Sequence, residues 1–213
     1  MTKKSIIQSI KEDCFFPISD EVVELFISNC HTVKFKKNEP IVEEGMCNSS
    51  LYVIKKGNVR LSYRDLNKEI IYGFAGPGTF MLSPHSFCKH EGAFFTYHAL
   101  NSVEALCMSE ETLMKLLHQS HEFAIMLFYI CMWQFDACEM KAQMLSGSAK
   151  DNYKSLQSGL ARKRYAEFQR NHPDLITSVT SKMLASYLGI NETYLSRIKR
   201  EIIEEDKDDS NQQ

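Results

Sequence analysis

The sequence predicts an α+β protein in which a small all-β sandwich or barrel precedes a long helix and a helical C-terminal module. Three observations carry that prediction. Between residues 31 and 108, short alternating or β-branched runs recur, with turn signals every eight to twelve residues. Residues 120–146 hold the longest helical pattern free of glycine and proline. Residues 180–202, TSKMLASYLGINETYLSRIKREI, read as two helices joined by a sharp turn at Gly189.

The elements follow in order. Apolar residues at helical spacing predict helices over 3–13 (Ile6, Ile7, Ile10) and 19–29 (Val22, Val23, Phe26, Ile27), separated by Pro17, with Ser19 or Asp20 as the second cap. Eight strand-like runs then appear: HTVKFK, PIVEEG, SLYVIKKG, NVRLSYR, EIIYGF, GPGTF, FFTYHAL and VEALCM. Gly45, Gly57 and Gly78 stand where tight turns need a positive φ. Residues 110–117 form a short helix capped by Ser109. In the long helix, Met126, Ile130, Trp133, Ala137, Met140 and Met144 recur at alternating spacings of four and three. That spacing predicts a two-helix seam. Phe123, Leu127, Phe128 and Phe135 widen it, so one flank is expected to pack on the β domain. Gly147 and Ser148 should end the helix. Helices over 150–171, 177–189 and 191–203 complete the chain, and the last ten residues, EEDKDDSNQQ, read as a disordered tail.

With 213 residues, 44% hydrophobic and 24% charged, the chain can bury a core in one large domain or two small ones. No window approaches eighteen apolar residues, so no membrane span is expected, and the N-terminus lacks the apolar stretch of a secretory signal. Seven cysteines without a C-x-x-C pair argue against a disulfide framework and for a reducing cytoplasm. Charge is uneven. Residues 1–149 are net −3, residues 150–200 net +6 and residues 201–213 net −5. A basic block on an otherwise acidic chain is the footprint of a polyanion-binding module.

The segment 180–202 gives that block a shape. Leu184, Ala185 and Leu188 form an apolar face, and small Ala185 admits a crossing helix. Gly189 takes the turn, Ile190 plugs the angle, Asn191 caps the next helix, and Leu195 and Ile198 point inward. This is a helix-turn-helix, whose second helix suits the major groove. Arg197 is the candidate for gripping guanine. Glu192, Thr193 and Ser196 share its outward face, while Lys182, Lys199 and Arg200 are candidate phosphate clamps.

These motifs together resemble the Crp/Fnr family of bacterial transcription regulators. The resemblance rests on IVEEG (41–45), LYVIKKGNVRL (51–61), GPGTF (76–80), RKRYAEFQRNHPDL (162–175) and ASYLGINETYLSRIK (185–199). It implies a double-stranded β-helix or jelly-roll sensor of the cyclic-nucleotide-binding type over residues 1–118. A dimerisation helix over 119–147, a helix-turn-helix domain over 148–203 and an acidic tail over 204–213 complete the expected layout. It implies a homodimer, a pseudo-palindromic DNA site and contact with RNA polymerase. In cyclic-AMP-binding members a glutamate holds the ribose, and an arginine with a hydroxyl neighbour holds the phosphate. This chain departs from that pattern, because no arginine lies between Arg64 and Arg162 and Ser83 or a neighbour stands in place of the glutamate. Cyclic AMP is therefore not expected to bind in the usual way. The expected effector pocket comprises Phe80, Leu82, Ser83, His85, Lys89, Phe95 and Tyr97, with Lys89 the available point charge. No cofactor is expected, though a small-molecule effector is left open. After the recognition helix the chain runs into acidic residues rather than a β-hairpin wing.

Other constellations are weaker. His85, Cys88 and His90, or His118 with His121, do not reach four metal ligands at a recognised spacing, so no metal is expected. Cys131 and Cys138 share a helix face, and as small hydrophobes they need no redox role. No nucleophile, phosphate-loop, metalloprotease or dinucleotide motif is present, so no catalysis is expected. Two rival readings remain: a sensor that regulates a protein partner without binding DNA, and a constitutive DNA-binding protein whose β domain is scaffold.

Overall fold

The computed structural model describes residues 18–66, 68–150, 154–171, 173–176 and 178–210. The helix expected over 3–13 lies outside these residues, as does Cys14. The chain divides into two units: residues up to Glu69 with Gly73–Lys141, and Ile70–Tyr72 with Ala142–Gln213.

The first unit is a β-roll of eight strands in two antiparallel sheets. One sheet has the order β1 (His31–Phe35), β8 (Val103–Met108), β3 (Leu51–Lys56), β6 (Phe80–Met81). The other has the order β2 (Pro40–Val42), β7 (Thr96–Ala99), β4 (Val59–Asp65), β5 (Lys68–Ala75). The eight strand-like runs of the sequence all appear. Gly45, Gly57 and Gly78 adopt φ of 83°, 90° and 93°. At Gly57 a β-carbon would collide with the Ser102 carbonyl oxygen, so only glycine fits that turn.

Side-chain alternation sorts the interior into two cores. Tyr52 and Ile54 of β3 join Val42, Val59, Tyr97, Ala99 and Val103 between the sheets. Leu51 and Val53, on the other face of β3, join a second core with the helices. Both faces of the strand are covered, which is why LYVI is continuously apolar. The second core takes Val22, Val23 and Phe26 from α1 (Asp20–Ser28), whose N-cap is Ser19. A short helix, α2 (Pro84–Lys89), follows β6 and is capped by Ser83, with Pro84 in its first turn. Helix α3 (Glu110–Gln119), capped by Ser109, adds Leu113 and Leu116.

Helix α4 (His121–Lys150) completes that core with Phe123, Met126 and Ile130. Three expectations for this helix are corrected. It runs through Gly147 and Ser148 to Lys150, because one glycine costs a helix only about 1 kcal/mol. Met126 and Ile130 leave the expected seam, since they are buried among residues of the same chain. Phe128 and Phe135, expected to help cover the β domain, are 60% and 57% exposed. At about 100° per residue, Phe123, Met126 and Ile130 face one way, and Phe128, Met132 and Phe135 face roughly the opposite way. Trp133 lies between these directions and is 48% exposed. The side chains of Ala137, Met140 and Met144 lie outside those described.

The second unit contains α5 (Lys154–Asn171), a turn of 3-10 helix over Pro173–Leu175, α6 (Ser181–Leu188) and α7 (Glu192–Ser210). Helix α6 starts four residues later than expected, because Thr180 caps it by accepting from Met183 N. Helix α7 extends to Ser210, so residues 204–210 continue a helix rather than forming the expected disordered tail. No glycine or proline interrupts them, and Glu and Lys are good helix formers. Residues 211–213 lie outside those described.

The sheet containing β4 carries a polar group on the face opposite Leu61 and Tyr97. Arg60 pairs across the ladder with His98, and Glu69 accepts from Arg60 Nε at 3.1 Å and from Ser62 Oγ at 2.8 Å. Burial, and then the Arg60 charge, hold the His98 imidazolium below its ordinary pKa of 6.5. The unfolded chain therefore takes up this proton first as pH falls, and stability is lost from about 6.5 downward. Urea denaturation at about pH 7.5 and pH 5.5 should show a larger loss for the wild type than for His98→Gln. Glu69, itself held low, titrates below that window.

Candidate nucleic-acid interface and effector site

The turn between α6 and α7 is built as its residues dictate. Gly189 sits at φ 70° and closes α6, with its own N–H donating to Ser186 O at 3.2 Å. Ile190 N donates back to Ala185 O at 3.0 Å. Asn191 then caps α7, its Oδ1 accepting from Tyr194 N at 2.8 Å. Leu184, Ala185 and Leu188 of α6 are buried, as are Leu195 and Ile198 of α7. Ala161, Tyr165 and Phe168 supply the buried stripe of α5, at spacings of four and three. Phe168 also meets the Tyr187 ring at 5.6 Å. Arg164 Nη1 donates to Leu188 O at 3.2 Å, placing a cation at the C-terminal end of α6.

The candidate DNA-contacting residues fall into two groups. Lys182, Asn191, Glu192, Thr193, Ser196, Arg197 and Arg200 are exposed. Lys199 is half-buried, its Nζ 5.9 Å above the Tyr165 ring. Ser196 Oγ already donates to Glu192 O at 2.9 Å, which leaves its lone pairs for an incoming donor. Tyr194 and Glu201 were not among the expected residues. The Arg197 guanidinium lies over the Tyr194 ring at 4.6 Å, and its Nε is 3.5 Å from Glu201 Oε1. Spacings of three and four from Arg197 were the signal available for both.

The expected effector pocket does not assemble as one site. Phe80 is in the helix-facing core, its ring tilted against Phe26 at 5.5 Å, and Leu82 packs against the same core. Phe95 and Tyr97 belong to the core between the sheets. Tyr97 bridges the two groups, donating its hydroxyl to Leu82 O at 3.2 Å. Burial, then the neighbouring Cys138, push that hydroxyl up to about 12, so it stays a donor. Ser83 is buried and spent as the α2 cap. The His85 ring stacks 4.0 Å from Phe94 and is bonded to Gly92 O at 3.0 Å, with Glu91 at 3.3 Å. Lys89 is exposed on α2 and so is no buried counter-charge. Among the described residues Arg60 is a buried arginine, and its Nε is engaged by Glu69. Among those residues, too, no three His, Cys, Asp or Glu side chains gather as metal ligands. No described helix is long and apolar enough to cross a membrane.

Residues 32–120 match the family profile of the cyclic nucleotide-binding domain. The match covers the β-roll and less than half of the chain. The resemblance to Crp/Fnr regulators read from the sequence is borne out, since solved members of that family share the fold over most of the chain. One is the c-di-GMP responsive global regulator CLP of Xanthomonas campestris, at 16% identity over 88% of this chain and 93% of that one, with a TM-score of 0.69. FixK2 of Bradyrhizobium japonicum is 16% identical over 83% of this chain and 85% of its own, with a TM-score of 0.65. The catabolite activator protein of Thermus thermophilus is 20% identical over 90% and 86%, with a TM-score of 0.52. At these identities the likeness is one of fold. No curated protein sequence matches the chain.

Gly189 is the position on which the turn between α6 and α7 depends. Replacing it with alanine at φ 70° should destabilise the helical unit by about 1–2 kcal/mol, read as a lower urea midpoint in circular dichroism.

Proposed function

We propose that the chain is a homodimeric DNA-binding transcription regulator of the Crp/Fnr type. The observation that carries this reading is the α6–Gly189–α7 arrangement, with Arg197 exposed on the second helix of a basic block. A guanidinium there can make two bonds to guanine O6 and N7, and the flanking cations can hold phosphates. Two modules are needed, because the basic surface of one gives weak, salt-sensitive binding. The stripe Phe128, Met132 and Phe135, left open on α4, is the surface that would join two copies. The dimer would then offer its two second helices to half-sites about 34 Å apart. The β-roll would act by population shift, biasing the packing of α4 and with it the separation of those helices. Family resemblance adds RNA polymerase as a partner.

Within this reading the roll does not hold cyclic AMP in the usual way. A buried cyclic phosphate needs a charge-assisted partner, and the arginines of β4 lie on the face opposite the core residues Val59 and Leu61. A second reading, a constitutive DNA binder with the roll as scaffold, is favoured by Ser83 and His85 being engaged within the chain, the one as the α2 cap and the other against Gly92 O. Identical operator affinity before and after adding cell metabolites would support it.

Two experiments test the proposal. Against a duplex selected from a randomised pool, Arg197→Ala should lose about 1–3 kcal/mol of specific binding in a gel-shift titration. Unchanged affinity would favour a sensor that regulates a protein partner. In sedimentation velocity, Phe128→Glu with Met132→Glu should convert dimer to monomer, and a wild-type chain that is already monomeric would refute the dimer.

A further inference from the structure

Arg197 is held on two sides by its own helix. Tyr194, Arg197 and Glu201 follow one another at spacings of three and four, so they share one face of α7. The Tyr194 ring takes the face of the guanidinium, 4.6 Å from its centroid. Glu201 takes the Nε edge, at 3.5 Å. A guanidinium has two edges that can make paired hydrogen bonds, one containing Nε and one formed by Nη1 and Nη2. With the Nε edge engaged, the Nη1–Nη2 fork is the edge left without a partner among the described residues.

We infer that Glu201 and Tyr194 are positioning residues that present Arg197 to a guanine as an end-on fork. This rests on the DNA-binding reading above and deepens it. An arginine free to sample its rotamers loses that freedom on docking and can turn to other acceptors. A pre-set fork loses less and matches guanine O6 and N7 in one geometry. Stability does not account for the pair, because both side chains are largely exposed, and such pairs contribute little to folding. Overall affinity does not account for it either, because a carboxylate on a DNA-facing helix opposes the attraction to phosphates. What the pair supplies is discrimination at one base pair.

The test uses the full chain and a duplex selected from a randomised pool. Wild type, Glu201→Gln, Arg197→Ala and the double variant are titrated against that duplex and its single-base-pair variants. Glu201→Gln should reduce the preference for the guanine read by Arg197 roughly two- to five-fold, leave other positions unchanged, and do nothing in the Arg197→Ala background. An equal change at every position, or an effect that persists without Arg197, overturns the inference while leaving the DNA-binding reading intact. A wild-type chain that selects no sequence overturns both.

Discussion

The rotation of helix α4 about its own axis is the constraint on which most of this structure depends. The helix carries apolar residues around much of its circumference, and only one stripe can go inward. Phe123, Met126 and Ile130 win that position. Phe123 meets Phe26 at 6.2 Å, Phe26 meets Phe80 at 5.5 Å, and each fully buried side chain of this size contributes about 1.5–3 kcal/mol. Polar contacts hold the same rotation. Gln134 Nε2 donates to Phe80 O at 2.6 Å, and Glu122 Oε1 accepts from Ser19 N at 2.6 Å. A slip of one residue would turn the helix by about 100° and break these contacts together. Burial of one stripe leaves Phe128, Met132 and Phe135 outside.

Local chemistry was legible in the sequence wherever one residue type was required. Gly57 is needed because a β-carbon would strike Ser102, and Gly189 because the turn needs a left-handed backbone. Ser19 and Ser109 announced the helices they cap, and eight apolar runs announced eight strands. Helix α2 was missed although Ser83-Pro84 is a start signal, because six residues give no periodicity to support it. The choice between the stripes of α4 was not legible. Met126, Ile130 and Trp133 fit a seam by spacing, yet a two-sided sheet with one face open claimed the first two. That demand comes from β3 and β8, distant in sequence, and no window along the helix contains it.

The two candidate sites differ in legibility for a related reason. The α6–Gly189–α7 arrangement is local: turn, cap and inward residues lie within twenty residues, so one reading places them all. A pocket in a roll is non-local. Phe80 and Tyr97 are near neighbours in sequence, but strand alternation sends them to different cores, with only the Tyr97 hydroxyl crossing to Leu82 O. Two polar groups of the α2 region that the sequence singled out have their own tasks, Ser83 as a cap and His85 against Gly92 and Phe94.

The continuation of α7 to Ser210 changes what its charge pattern means. As a loose tail, the net charge of −5 over residues 201–213 would be a diffuse counter-charge. On a helix, residues 204–210 follow Arg197, Lys199 and Arg200 in a fixed geometry, so one helix has a basic beginning and an acidic end. The acidic end also faces the negative pole of the helix dipole, an arrangement that gains nothing for helix stability. A duplex approaching such a helix is attracted at one end and repelled at the other, and the repulsion is short-ranged at physiological salt. Glu201 lies where the two halves meet, four residues beyond the Arg197 it pairs with at 3.5 Å.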